Sequence, residues 1–150
     1  PVGSRALRSL RVEKGYGAWS REYSPEYWPQ EVGLERLVKL DKSFVNRAAA
    51  EARMAEAARE RMVLLALEDA APGAPAADAT GGEPIFVGDR GVGRVTSGAY
   101  GYSVGQSLVL GFVAGVSGGD AVDVMVLGQP RRAVVLERPP FDPDGVRLRA

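Results

Sequence analysis

Between residues 61 and 136 the chain repeats one pattern: a short aliphatic run, then a turn rich in glycine, proline or aspartate, with no helical period in between. The runs are "MVLLALE", "EPIFVG", "GVGRVTSGAY", "SLVLGFVAG", "AVDVMVL" and "RRAVVLE". Short strands so closely spaced leave no length for crossover helices, so they must pair antiparallel and close into a small barrel or sandwich. Gly91, Gly93, Gly98, Gly101 and Gly105 crowd the third run and the turn after it. They read as bulges and corners, where the backbone bends or approaches another strand closely. "GVGRVTSG" is not a dinucleotide fingerprint, which needs glycine where Thr96 stands and a helix where a strand is predicted. A P-loop is also excluded, because the last lysine of the chain is Lys42. Residues 71 to 82, within "AAPGAPAADATGG", read as an exposed, mobile low-complexity hairpin loop.

The first sixty residues follow another logic. From Leu7 to Glu13 apolar and polar residues alternate, which predicts a half-buried strand with Leu10 and Val12 inward and Arg11 and Glu13 outward. Residues 14 to 36 carry Gly15, Gly17, Pro25, Pro29 and Gly33, together with Tyr16, Trp19, Tyr23, Tyr27 and Trp28. So many breakers predict an aromatic-rich loop. "LVKLDK" reads as a short strand or turn. Ser43 to about Arg59 reads as a helix, with Ser43 as N-cap, Arg47 and Glu51 paired at i,i+4, and an apolar face through Val45, Ala48, Ala49, Ala52 and Ala55. The expected boundary lies near residues 58 to 61. The fold class is therefore α+β: a strand, loop and helix over 1–60, followed by a small antiparallel β-barrel over 61–150.

Composition narrows the chemistry. The 19 basic and 19 acidic residues cancel, and no basic block exceeds the Arg131–Arg132 pair, so the electrostatic footprint of a nucleic-acid binder is missing. No apolar run is long enough for a membrane span, and no secretory signal is visible in this segment. Cysteine and histidine are both absent. Cys/His zinc sites, thiol nucleophiles and imidazole-dependent triads are thereby excluded. Lack of cysteine fits a reducing, cytoplasmic setting.

Among individual residues, Asp142 and Asp144 in "FDPDGV" have the chemistry of a turn and too few oxygen ligands for a calcium loop. Arg131 and Arg132 read as a solvated strand end. Glu13 has two readings. It could be a surface carboxylate paired with Arg11 or Lys14. It could instead stand at the rim of an aromatic-walled cleft, where its two oxygens would meet adjacent N–H donors of a flat heterocycle.

Two separated stretches decide between these. "LRVEKGYGAWSREYSPEYWPQEVGLERLVKLDKSFVNRAA" resembles the end of the folate-binding domain of the aminomethyltransferase (glycine-cleavage T-protein) superfamily. "VGRVTSGAYGYSVGQSLVLGFV" resembles that family's C-terminal barrel. Within the superfamily, "EKG", the tryptophan six residues after the glutamate, and "REYSPEYWPQEVGL" are most similar to dimethylglycine and sarcosine dehydrogenases. The resemblance implies that Glu13 meets the pterin ring of tetrahydrofolate, with Trp19 an aromatic close behind. It also places Tyr27 and Trp28 where the family has two threonines, ahead of matching Pro29 and Glu31, so Tyr27 is a further candidate for folate binding. Tyr102 and Gln106 stand where many dehydrogenase relatives have histidine and lysine, and no ligand contact is carried onto them.

On this resemblance an upstream flavin (FAD) domain oxidises an N-methyl amine and the folate region receives the one-carbon unit. The family's catalytic aspartate also lies upstream, so no catalytic residue and no flavin are expected in this segment. Alone it should be inactive and prone to self-association through its aromatic surface. Alternatives are a flavin-free aminomethyltransferase of the glycine cleavage system, and a regulatory or interaction module that kept the barrel without the chemistry. The cysteine motif of the branch concerned with iron–sulfur clusters is missing from "LDKSFVNR".

Overall fold

The computed structural model describes residues 2–70, 72–73 and 77–150. Six strands form a closed antiparallel barrel in the order β1-β4-β3-β2-β5-β6: β1 (Arg61–Leu67), β2 (Pro84–Val87), β3 (Arg90–Gly101), β4 (Gln106–Val113), β5 (Ala121–Val126) and β6 (Gln129–Leu136). These are the six predicted runs. Alternate residues point inward, and Leu65, Leu67, Ile85, Val92, Val95, Val109, Val113, Val122, Val124, Val126 and Val135 fill the interior. Each fully buried aliphatic side chain contributes about 1.5–3 kcal/mol, so apolar packing is a principal source of the barrel's cohesion. Gly93 sits so close to the Phe112 carbonyl, and Gly98 to the Ala79 carbonyl, that a Cβ at either position would collide with backbone. Bulges interrupt the ladder between Ile85 and Phe86 and between Val95 and Ser97.

One part of the barrel is buried on both faces. In β4 every residue from Ser107 to Val113 is buried, the continuous apolar pattern of a doubly covered strand. Its outer row, Leu108 and Leu110, joins Leu64 and Ala66 of β1 under Val12 of the first helix. Farther along the same row Phe112 lies beneath Tyr27, with ring centroids 3.8 Å apart and planes 8° from parallel.

The element over Leu7 to Glu13 is a helix, not the predicted strand: α1 spans Ser4–Glu13. Its buried residues are Ser9, Val12 and Glu13, spaced i, i+3, i+4, while Leu7 and Leu10 are exposed. Polar groups face inward and leucines outward, so local alternation mimicked a strand. The helix ends in a Schellman turn in which the Gly15 N–H donates to Val12 O and the Tyr16 N–H to Arg11 O, with Gly15 at φ 69°.

The aromatic-rich stretch is irregular as predicted, with single 3-10 turns at Pro29–Glu31 and Glu35–Leu37. The second helix is shorter than expected: α2 spans Arg47–Met54, with Asn46 at φ 64° in the capping position that Ser43 was expected to fill. The predicted alanine face is exposed, and Val45 is 88% accessible. Ala50, Arg53 and Met54 are the half-buried positions instead. An alanine stripe offers too little apolar area to dictate docking, and polar contacts of Arg53 do so: its carbonyl accepts from Gln30 Nε2 at 3.0 Å and its guanidinium lies 5.0 Å from the Trp28 ring. Among the described residues the ion pair of this helix joins Arg53 to Glu56, in place of the expected Arg47–Glu51.

Two further expectations are corrected. Arg131 is buried, its guanidinium donating twice to Glu68 O (2.6 and 3.2 Å) and once to Ala77 O (2.7 Å), whereas Arg132 is exposed and pairs with Asp123 across the β5–β6 ladder. The loop over 71 to 82 is not uniformly exposed. Pro72 and Gly73 are, but Ala79 is fully buried against the barrel and Asp78 accepts from Ser107 Oγ at 2.6 Å. Residues 71 and 74–76 lie outside the described part.

Candidate functional site

β3 is the rail along which the first sixty residues dock. Ser9 Oγ donates to Tyr100 O (2.7 Å), Arg11 Nη2 to Ser97 Oγ (2.6 Å), Thr96 Oγ1 to Glu22 Oε1 (2.6 Å) and Arg21 Nη1 to Thr96 O (3.0 Å). Tyr27 Oη meets Arg94. In a regular strand Thr96 and Ser97 would point to opposite faces; the bulge at Thr96 lets both hydroxyls serve the docked segment. Glu22 is fully buried at the centre of this network. Burial pushes its carboxyl upward, but hydrogen bonds from Ser97, Thr96 and the Ala18 N–H, with the Arg11 charge, bring it below the ordinary value. Glu31, 2% exposed, accepts from Arg59 Nε (2.8 Å) and Nη2 (2.9 Å) and from the Trp28 N–H (2.9 Å). Arg59 is the main reason that its carboxyl is held at about 2. Neither Glu22 nor Glu31 was singled out from the sequence as buried. The signal available was local: Glu22 and Glu31 follow, by four and three residues, the backbone N–H groups that they cap.

Glu13 differs from both. It is 1% exposed, not on the outer face as predicted, because α1 turns it toward the barrel. Neither Arg11 nor Lys14 pairs with it: Arg11 goes to Glu22, and Lys14 to Asp142. Its Oε1 accepts the Ser103 N–H at 2.8 Å, and its Oε2 has no partner among the described residues. Among the described residues only Gln30 Oε1 shares that condition. An unsatisfied buried carboxylate oxygen is costly, and native structures rarely keep one without use. Glu13 lines a recess of about 310 Å³ with Arg5, Ser9, Leu10, Tyr102 and Ser103. A larger recess of about 630 Å³ lies across β2 and β5, around Phe86 and Met125, but none of its lining side chains has a buried polar atom without a partner.

The other predicted site residues do not join Glu13. Trp19 is 80% exposed, and its backbone bridges to Tyr23. Tyr27 stacks on Phe112 beside Arg94, whereas Glu13 touches the Gly101–Ser103 turn. Those points lie at opposite ends of the β3–β4 hairpin, about 20 Å apart at the usual rise per residue. Asp142 and Asp144 face cations of the chain itself: Lys14 and Arg138 respectively. Among the described residues no cluster of three or more carboxylates that could hold a metal ion occurs, and no helix is long and apolar enough to cross a membrane.

Residues 61–142, more than half of the chain, match the glycine cleavage T-protein C-terminal barrel domain. The chain belongs to that family. Residues 1–42 match the GCVT N-terminal domain. Human dimethylglycine dehydrogenase, mitochondrial, is 34% identical over 141 residues, which cover 91% of this chain and 16% of that protein. The mouse sarcosine dehydrogenase, mitochondrial, is 32% identical over 99% of this chain and 17% of its own length. An aminomethyltransferase of Moorella thermoacetica is 33% identical over 93% of this chain and 37% of its own length. The chain thus spans between about a sixth and two fifths of the curated relatives it matches. The same T-protein-family fold is seen in the crystal structure of glycine cleavage system aminomethyltransferase T from Bartonella henselae, with a TM-score of 0.79 at 22% identity over 92% of this chain.

Proposed function

We propose that this chain is the folate-binding C-terminal region of a longer dimethylglycine or sarcosine dehydrogenase-like enzyme that passes a one-carbon unit from an N-methyl amine to tetrahydrofolate. The observation that carries this reading is the buried Glu13 carboxylate, with one oxygen fixed by the Ser103 N–H and the other buried without a partner among the described residues, on a side chain that lines a recess. A pterin ring presents adjacent N–H donors, which is the chemistry that an orphaned carboxylate oxygen lacks. The donor set therefore fits the cofactor. Glu13 would hold and orient the ring, and the exposed Trp19 would offer stacking area once neighbouring chain encloses it. Tyr27, whose ring is committed to Phe112, would act by seating the segment on the barrel. When bound, tetrahydrofolate supplies the acceptor for the one-carbon unit. FAD would belong to an upstream domain.

The similar identities to dehydrogenases and to an aminomethyltransferase keep a flavin-free aminomethyltransferase as the second reading. Flavin content of the full-length protein separates the two. The folate assignment is tested by calorimetry on that protein. Glu13→Gln keeps the shape and the Ser103 contact but replaces an acceptor by a donor, so tetrahydrofolate should bind with ~1.5–3 kcal/mol less free energy. Unchanged affinity overturns it.

A further inference from the structure

The recess at Glu13 does not end there. A second recess of about 320 Å³, lined by Arg5, Arg8, Asp78, Thr80 and Tyr100, shares Arg5, Ser9 and Tyr102 with the first. Arg5, Ser9 and Glu13 stand at i, i+4 and i+8 on α1, one row down a single helix face, about 12 Å from end to end. Tyr102 walls the trough midway, its ring edge-on to Tyr100 at 5.1 Å. The polar groups along it differ in what they have left to give. Ser9 Oγ is used by Tyr100 O, and Asp78 accepts from Ser107 on the barrel side. Arg5 and Arg8 have no ion pair or hydrogen bond among the described residues, although Arg11 on the same helix and Lys14 just after it each have an acidic partner. The first turn of α1 also holds no acidic residue and lacks a side-chain cap. Even with Asp78 counted, the far end of the trough keeps a net positive charge, opposite the end where Glu13 holds an unpaired oxygen.

We propose that Arg5 and Arg8 form an anion subsite that grips the carboxylate tail of an elongated ligand whose donor-bearing head is held by Glu13. This rests on the folate reading and deepens it. A ligand with N–H donors at one end, a flat middle and a carboxylate at the other has the polarity of the trough, and the benzoylglutamate portion of a folate supplies that tail. The arginines would bind the carboxylate as a charge-assisted pair, whereas the pterin ring alone would not reach them.

The test uses the full-length protein and three probes: tetrahydrofolate, the tail-less 6-methyltetrahydropterin, and p-aminobenzoylglutamate, the tail without the ring. Arg5→Ala with Arg8→Ala should weaken tetrahydrofolate about tenfold, an effect of about 1.4 kcal/mol, flatten its salt dependence, and leave the tail-less pterin within about twofold. Glu13→Gln should weaken both pterins and leave p-aminobenzoylglutamate untouched. If Glu13→Gln weakens tetrahydrofolate while the double arginine variant does not, the subsite is wrong and the folate reading stands. An equal loss of both pterins in the arginine variant likewise overturns the subsite, since a tail contact cannot act on a tail-less ligand. If Glu13→Gln changes neither pterin, the folate reading fails; the subsite then stands or falls on whether p-aminobenzoylglutamate binds the wild type and is lost from the arginine variant.

Discussion

The barrel and the segment that lies on it are held by opposite means. Inside the barrel the buried residues are aliphatic, and its buried charge, Arg131, is satisfied by backbone carbonyls. In residues 4–60 the buried apolar residues are Val12 and Val32, while Glu13, Glu22 and Glu31 are buried beside them. The barrel is therefore sustained by area removed from water, which has no charge to titrate and is not weakened by ionic screening. The docked segment is sustained by carboxylates meeting arginines, hydroxyls and N–H groups, each of which must find its partner to repay desolvation. Of the three carboxylates, two are fully used. The third is half used, and that difference marks the candidate site.

The comparison breaks most visibly in the barrel core. Leu65→Ala removes a fully buried interior side chain and should cost about 2–5 kcal/mol, with the whole barrel lost together in denaturant melts. Glu22→Gln should cost less, about 2–3 kcal/mol, because it leaves Arg11 without its counter-charge and the Thr96 hydroxyl with a poorer acceptor. Its signature should be local: hydrogen exchange should rise over residues 4–40 while β1 to β6 stay protected.

Acid should separate the regions without mutation. A carboxyl depressed by folding adds stability above its unfolded value near 4.5, and that stability is lost as pH falls through the folded value, about 2 for Glu31. Glu22 shifts in the same direction. Between pH 4.5 and 2, tryptophan fluorescence from Trp28, whose ring packs beside Arg53, should report release of the segment before circular dichroism reports loss of strands. Simultaneous loss would mean that the two regions are one cooperative unit. At the small end of the scale, Val45→Ser should change stability by less than about 0.5 kcal/mol, since this valine is among the most exposed of the apolar residues.

Much of the barrel is legible because period-two alternation and turn residues agree for six runs in succession, and a one-residue slip in any of them would place its apolar row in water. The loop before β2 misleads because alanine gives no pattern: the burial of Ala79 depends on Gly98 opposite, where a missing side chain makes the space. α1 misleads for another reason. Its inward face is Ser9, Val12 and Glu13, whereas alternation assigns Leu10 and Val12 to that role and turns Glu13 outward. Gly15, the αL residue that closes the helix, was the available correction. Glu13 could be picked out through family resemblance, whereas its burial and its unpaired oxygen depend on a turn ninety residues away in sequence. Glu22 carried no such flag, the match of Glu31 to the family pattern said nothing of its burial, and their partners Thr96 and Arg59 are distant in sequence.

The central claim is that Glu13 is buried for a ligand while Glu22 is buried for the fold. The direct measurement is thermal unfolding of Glu13→Gln and Glu22→Gln in the full-length protein, each with and without saturating tetrahydrofolate. Without ligand, Glu13→Gln should melt close to wild type, its stability changed by less than about 0.5 kcal/mol, because the Ser103 contact survives and no second partner is lost; Glu22→Gln should melt lower. With ligand, Glu22→Gln should gain stability as wild type does, and Glu13→Gln should gain less, in proportion to its weakened binding. A Glu13→Gln protein that melts as low as Glu22→Gln and is stabilised by tetrahydrofolate as fully as wild type would contradict the account.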